Sequence, residues 1–372
     1  MRFETTAVRS GGEVDEETGA IAPPIHLSTT FEFGADSKLI HGYRYAREAN
    51  PTQSRLESAL AAIEGGEAAQ AFASGMAAGA AVLQSLPAGS HFILPDDCYY
   101  AYRLLSHDFL EKWGMSFDVV DMSDPGGVRA AIRDTTRLIW AETPSNPLMK
   151  VVDLQALSRV AREAGRMFLV DNTFATPALQ QPLALGADVV LHSSTKYLGG
   201  HSDVQGGALM FRARDAFFDS VMHTRRLIGG VASPFNSWLV LRGIRSLSAR
   251  VRVHCENARA VAEFLESSSK VEAVHYPGLE SHPGHDVAAK QMSDFGGMIS
   301  FRVRGDDQDA IRVVAALRLF TRATSLGGVE SLVEHRFSTE GPTSPTPKNL
   351  IRLSIGLEHP DDLVEDLREA LG

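Results

Sequence analysis

The 372-residue chain has only two cysteines, Cys98 and Cys255. Two cannot build a disulfide framework, and a reducing compartment such as the cytoplasm suits them best. No apolar run approaches the roughly 18 residues that a membrane-spanning helix needs. The first residues, MRFETTAVRSGG, lack the apolar core of a signal peptide. Positive charge is also scarce. Lys and Arg number 36 against 46 Asp and Glu, a formal net charge of −10. Nucleic acid and anionic membranes are therefore not expected partners. Thirteen histidines are present, but none lies in an HExxH pattern or a Cys/His cluster, so no metal is expected. His192, His201 and Asp203 are close in sequence without forming a ligand set. His201 and Asp203 are expected to pack the loop after Lys196. Internal repeats and low-complexity segments are missing, which excludes a repeat architecture.

What remains is ordinary for a globular chain with a sizeable core: 44% hydrophobic and 22% charged residues. Residues 1–45 are rich in Gly, Pro and Thr and read as an extended arm. Residues 46–235 alternate helical and strand patterns and read as a large domain. RLESALAAIEGG (55–66) and DLQALSRVAREAG (153–165) have helical periodicity and stop at glycine. HFILP (91–95), RLIWAETP (137–144), RMFLVDNTF (166–174) and ADVVLHSSTK (187–196) are short apolar runs with polar ends. Continuous apolar strands alternating with helices predict an α/β fold, a mostly parallel sheet flanked by helices. A long helical segment, about 242–268, leads into residues 236–372, read as a smaller α+β domain. Its strand signals are MISFRV (298–303) and LIRLSIGLE (350–358).

Ligand sites of open α/β sheets lie at the carboxyl ends of the strands. ETPSNP, DNTFATP and HSSTK all sit at such ends. HSSTK places Lys196 beside Ser193 and Thr195. ASGMAAG offers Ser74, Gly75 and Met76 at a glycine-opened helix start, which suits phosphate. Asp171 ends a buried strand, where a lone carboxylate is costly without a cation. One group meets all three demands. Pyridoxal 5'-phosphate (PLP) takes a lysine for a Schiff base, an aspartate for its ring nitrogen and a cup for its phosphate.

The stretch VDNTFATPALQQPLALGADVVLHSSTKYLGGHSD (170–203) resembles the Cys/Met-metabolism family of PLP-dependent enzymes. The resemblance runs through TGAIAPPIHLSTTF (18–31), YAREANPT (45–52), SGMAA (74–78), DDCY (96–99), ETPSNP (142–147), SLGGVESL (325–332) and RLSIGLE (352–358). It implies PLP-dependent fold type I, the aspartate aminotransferase-like architecture. By the same resemblance, Lys196 is the Schiff-base lysine and proton shuttle, and Asp171 pairs with the ring nitrogen. Gly75, Met76, Ser193 and Thr195 hold the phosphate. Tyr45 and Arg47 reach the phosphate of a neighbouring subunit, in a homotetramer of two active dimers. Tyr99 stacks on the ring and handles a proton of the incoming amine or the leaving group. Asn146 lies near the ring's phenolic oxygen and the substrate carboxylate, which Arg352 and the backbone at Ser325 bind.

Three departures from the family pattern bear on the substrate, a small amino acid. Thr324 stands where cystathionine-handling relatives usually have glutamate. Ala101 stands where methionine γ-lyases have cysteine, in a stretch one residue short. HRFSTEGP (335–342) replaces the common HPAxMTH, so Arg336 occupies a proline position. Arg336 is expected to face solvent, with contact to an anionic or polar leaving group as the alternative. Arg103 sits near the expected contact for the distal carboxylate of an acylated homoserine. The resemblance implies γ-elimination or γ-replacement on a homoserine-derived or sulfur-containing amino acid. Rival readings are β-elimination, ranked lower because Leu326 stands where those relatives tend to have tryptophan, and a non-catalytic PLP-binding protein.

Overall fold

The computed structural model of the chain describes residues 1–342 and 344–372. Two sheets organise it. The first has seven strands: β1 (Ala68–Phe72), β2 (His91–Pro95), β3 (Ser116–Val120), β4 (Thr136–Glu142), β5 (Met167–Asp171), β6 (Val189–His192) and β7 (Gly207–Phe211). Their order is β1-β7-β6-β5-β4-β2-β3. The strands from β6 to β3 pair in parallel. Strand β7 runs antiparallel to both of its neighbours, so the expected parallel sheet holds with one reversed strand. Strands β1, β2, β5, β6 and β7 are buried at nearly every position. That is why they read as unbroken apolar runs rather than alternating ones.

Helices cover both faces because their ends are specified locally. Asn50 caps the helix Pro51–Glu64 by accepting from Thr52 N, and Gly65 ends it in the left-handed conformation. Asp153 caps Leu154–Glu163 through Ala156 N. Two clusters of buried side chains fill the opposite faces of the sheet, one around Ile139 and Val170, the other around Phe92 and Trp140.

The second sheet comprises β8 (Val271–His275), β9 (Met298–Val303), β10 (Thr321–Arg322), β11 (Leu332–His335) and β12 (Leu350–Ser354). Its order is β10-β11-β12-β9-β8, antiparallel except for the β10–β11 pair. It has its own core, centred on Phe301, Leu353 and Leu363.

Three details differ from the sequence reading. The arm begins with a short helix, Phe3–Arg9, that buries Ala7. The helical segment expected over 242–268 is two helices, Pro234–Ile244 and Leu247–Ser267. The first of these packs on Pro51–Glu64 and contains the expected 235/236 boundary.

The Pro234–Ile244 helix also supports the loop that follows Lys196. A Cβ on Gly243 would lie 2.3 Å from the carbonyl oxygens of both Leu198 and Gly199. Backbone atoms on that side cannot rotate away. Gly243→Ala is therefore expected to destabilise the fold by about 1–3 kcal/mol, read as a lower Tm in a thermal melt. An unchanged Tm would mean that the helix has room to shift.

Candidate active site

The carboxyl ends of β4, β5 and β6 open into a cavity of about 420 Å³. The sheet register fixes its floor. Glu142 and Asp171 are Cα partners on β4 and β5, so two carboxylates end side by side. Both are at least 94% buried, with exposures of 5% and 6%. Asp171 Oδ1 accepts from Thr173 N at 3.0 Å and Thr173 Oγ1 at 2.6 Å. Glu142 Oε2 accepts from Tyr99 N at 2.8 Å. Among the described residues, neither carboxylate has an ion-pair partner. Burial pushes both pKa values up, and for Glu142 the neighbouring Asp171 adds to the rise. A cationic group placed here would remove that cost.

Lys196 lines the same cavity. Its Nζ donates to Ser325 Oγ at 2.8 Å, and no carboxylate among the described residues pairs with it. Desolvation, followed by the Arg352 charge, depresses its pKa to about 8. An amine so placed has a substantial neutral fraction near physiological pH and is ready to act as a nucleophile.

Ser325 joins this lysine to the second sheet. Its φ is +84°, unusual for a residue with a Cβ. The turn aims the Ser325 hydroxyl at Lys196 and its carbonyl oxygen at Arg352 Nη2, 3.1 Å away. Arg352 Nη1 donates to Asn146 Oδ1 at 2.9 Å. Thr324 lines the rim and is exposed, whereas Leu326 lines the cavity from a buried position.

The third wall is the start of the Gly75–Gln84 helix. Ser74 is its cap, with Oγ accepting from Ala77 N at 3.1 Å. Gly75, Met76, Ser193 and Thr195 all line the cavity there. A Cβ on Gly75 would meet Ser193 Cβ at 3.0 Å, so glycine lets helix and loop close around a small ligand. Tyr102 fixes this wall by donating to Gly75 O at 3.0 Å. The Thr195 hydroxyl is already engaged with the backbone of Gly206, at 3.1 Å to O and 3.0 Å from N.

A helix N-terminus for a phosphate, a buried carboxylate pair lacking a cation and an amine lacking an anion fit PLP. The match to the family model for Cys/Met metabolism PLP-dependent enzymes covers residues 4–372.

The chain belongs to that family.

Cystathionine gamma-synthase of Mycobacterium tuberculosis is 47% identical, over 99% of this chain and 96% of that protein. Cystathionine beta-lyase of Lactococcus lactis is 45% identical, over 99% and 98%. The crystal structure of metB from Corynebacterium glutamicum superposes with a TM-score of 0.97 at 43% identity, covering 100% of this chain and 98% of that one. Cystathionine gamma synthase from Xanthomonas oryzae, in complex with aminoacrylate and cysteine, gives 0.95 at 41%, with the same coverage. The fold is that of these PLP-dependent enzymes, and PLP is the cofactor.

Some expected site residues lie elsewhere in this chain. Arg103 does not line the cavity. Its Nη1 donates to Asp96 O at 3.0 Å, because the Ala101–Leu105 helix turns the side chain back onto the chain that enters it. Tyr45 and Arg47, expected at the phosphate of a neighbouring subunit, lie outside this chain's own cavity. Tyr45 is 41% exposed and Arg47 donates to Arg226 O, with its guanidinium 5.6 Å from the Tyr45 ring centre. Arg336 corrects the expectation of a solvent-facing side chain. It lines the cavity, is 3% exposed and forms ion pairs with Glu334 and Glu340. Those acidic partners were the available signal, at two residues before and four after Arg336. Glu142 is a site residue that sequence reasoning left without a role, although ETPSNP contains it.

Proposed function

We propose that this chain acts at Cγ of a homoserine-derived or sulfur-containing amino acid, eliminating or replacing the γ-substituent. One observation carries the reading. A single cavity holds an amine without an anion and a carboxylate pair without a cation among the described residues, and Ser325 joins that amine to the Arg352 guanidinium. The relatives at 45–47% identity, cystathionine gamma-synthases and beta-lyases, support the sulfur amino-acid class.

The bound cofactor supplies an electron sink conjugated to the substrate's Cα. Lys196 would hold it in the resting enzyme, Asp171 would keep its ring nitrogen protonated, and the Gly75 helix start with Ser193 would hold its phosphate. Arg352 and Asn146 bind the substrate α-carboxylate, which fixes the Cα–H toward the lysine side. Lys196, once free, takes the Cα proton and returns one to the carbon skeleton. Burial raises the Tyr99 pKa, so the side chain is a phenol at neutral pH and suited to protonate the departing group. Strand pairing keeps Asp171 and Glu142 side by side.

Tyr45 and Arg47 complete the phosphate site of a neighbouring copy, which makes the active unit a dimer within a homotetramer. The buried thiols of Cys98 and Cys255 suit a cytoplasmic enzyme. Among the described residues, no helix is long and apolar enough to cross a membrane.

The test is synthesis. Holoenzyme given O-acetylhomoserine or O-succinylhomoserine with cysteine should form cystathionine and release the corresponding acid, both followed by mass. With cysteine omitted, the expected products are 2-oxobutanoate, ammonia and the acid. If neither is consumed, action on these two acylated homoserines is ruled out and a sulfur-containing amino acid remains as the substrate class.

A further inference from the structure

Four charged side chains form a single file beside the cavity, from the second sheet to the short helix Arg336–Glu340. Arg352 on β12 and Glu334 on β11 are cross-strand partners. Arg352 Nη2 donates to Glu334 Oε2. Arg336 Nη1 donates to both Glu334 oxygens at 3.1 Å, and its Nη2 donates to Glu340 Oε1. Glu340 Oε2 accepts from Thr346 Oγ1 at 2.7 Å and from Ser344 Oγ. The four side chains are only 4–6% exposed. In order, their charges are plus, minus, plus, minus.

Two consequences follow from burial. Charges in a low-dielectric interior act on one another strongly and are poorly screened. A buried carboxylate shared by two guanidiniums neutralises neither of them fully. Glu334 is so shared, and its two oxygens face Arg336. Were Arg336 neutral, Glu334 would answer to Arg352 alone, and the row would carry a net negative charge beside the place where a substrate carboxylate must bind. The guanidinium of Arg336 also has little left to offer a substrate. Both of its terminal nitrogens are committed to carboxylates.

We propose that Arg336 is a positioning residue for the substrate α-carboxylate: it draws the charge of Glu334 away from Arg352 and does not select the γ-substituent. This rests on the carboxylate-binding role proposed for Arg352. The depressed pKa of Arg352, about 10, has burial as its first cause and Arg336 as its second, in keeping with guanidiniums that feel each other.

Two ligands without a γ-leaving group separate the roles. L-2-aminobutyrate has the α-carboxylate, and propylamine has the same carbon chain without it. Their Kd values are read from the cofactor absorbance of the holoenzyme. In Arg336→Gln, 2-aminobutyrate is expected to bind at least about tenfold more weakly, and propylamine to change by less than about twofold. Glu340→Gln, which leaves the row one positive charge, is expected to tighten 2-aminobutyrate and leave propylamine alone. This second variant keeps the test decisive if Arg336→Gln fails to fold. Equal weakening of both ligands, or no change in either, would overturn the inference. A wild-type holoenzyme whose absorbance answers to neither ligand would overturn the proposed function and this inference with it.

Discussion

Lys196→Ala is expected to lower turnover by more than about 10⁴-fold, beyond the range usual for a single acid or base, while leaving the fold intact. The loss is large because one side chain does two jobs. In the proposed mechanism it anchors the cofactor covalently and moves the proton at Cα. Borohydride reduction of the wild-type holoenzyme should fix the cofactor to the peptide containing Lys196, and the variant should release it on denaturation. Retained turnover in the variant would remove Lys196 from the mechanism. Stability supplies a second readout, in the cofactor-free protein. The lysine pKa falls from 10.5 in the unfolded chain to about 8 in the cavity. The unfolded state therefore keeps the lysine's proton between these values, and this residue's own contribution to wild-type stability rises with pH across that window. Below about pH 8 the full cost of burying the ammonium is present. Lys196→Ala removes that cost, so the variant's Tm should exceed the wild type's near pH 7 and the gap should close toward pH 10.5.

Asp171→Asn should act in two opposite directions. The asparagine cannot keep the cofactor ring nitrogen protonated, and kcat is expected to fall by about 10²–10⁴-fold, the scale of a lost charge at a reacting centre. The cofactor-free protein should instead become more stable, because one of two adjacent buried carboxylates is gone and Glu142 no longer meets a like charge. A variant that loses both activity and stability would show Asp171 to be structural. Urea unfolding of the cofactor-free protein, beside steady-state rates of the loaded one, makes the distinction.

Much of the site was legible because the chain writes it in short segments. Lys196 lies four residues beyond the end of β6, and Asp171 is the last residue of β5. A strand's end is a local property, visible where an apolar run meets polar residues. The α/β class was legible for the same reason, since strands buried on both faces cannot alternate. Side-chain direction was not legible. Arg336 and Arg103 are both arginines near cavity walls. One is drawn inward by Glu334 and Glu340, and the other folds back onto a backbone carbonyl. Those choices depend on partners brought by the fold. Strands β1 (AAQAF) and β7 (GALMF) escaped because alanine, glycine and glutamine carry little strand signal. Sheet pairing with each other, and with β6, makes them strands. The break near Arg245 and Ser246 within the long helical segment has no proline or glycine at the break itself, so the pattern read straight through it.

The central claim is that bond cleavage occurs at Cγ, and cystathionine tests it without ambiguity because its two C–S bonds lead to different products. Holoenzyme incubated with cystathionine should yield cysteine, 2-oxobutanoate and ammonia, identified by mass. Pyruvate with homocysteine in their place would put the cleavage at Cβ, as the names of the beta-lyase relatives imply for those proteins, and would contradict the account.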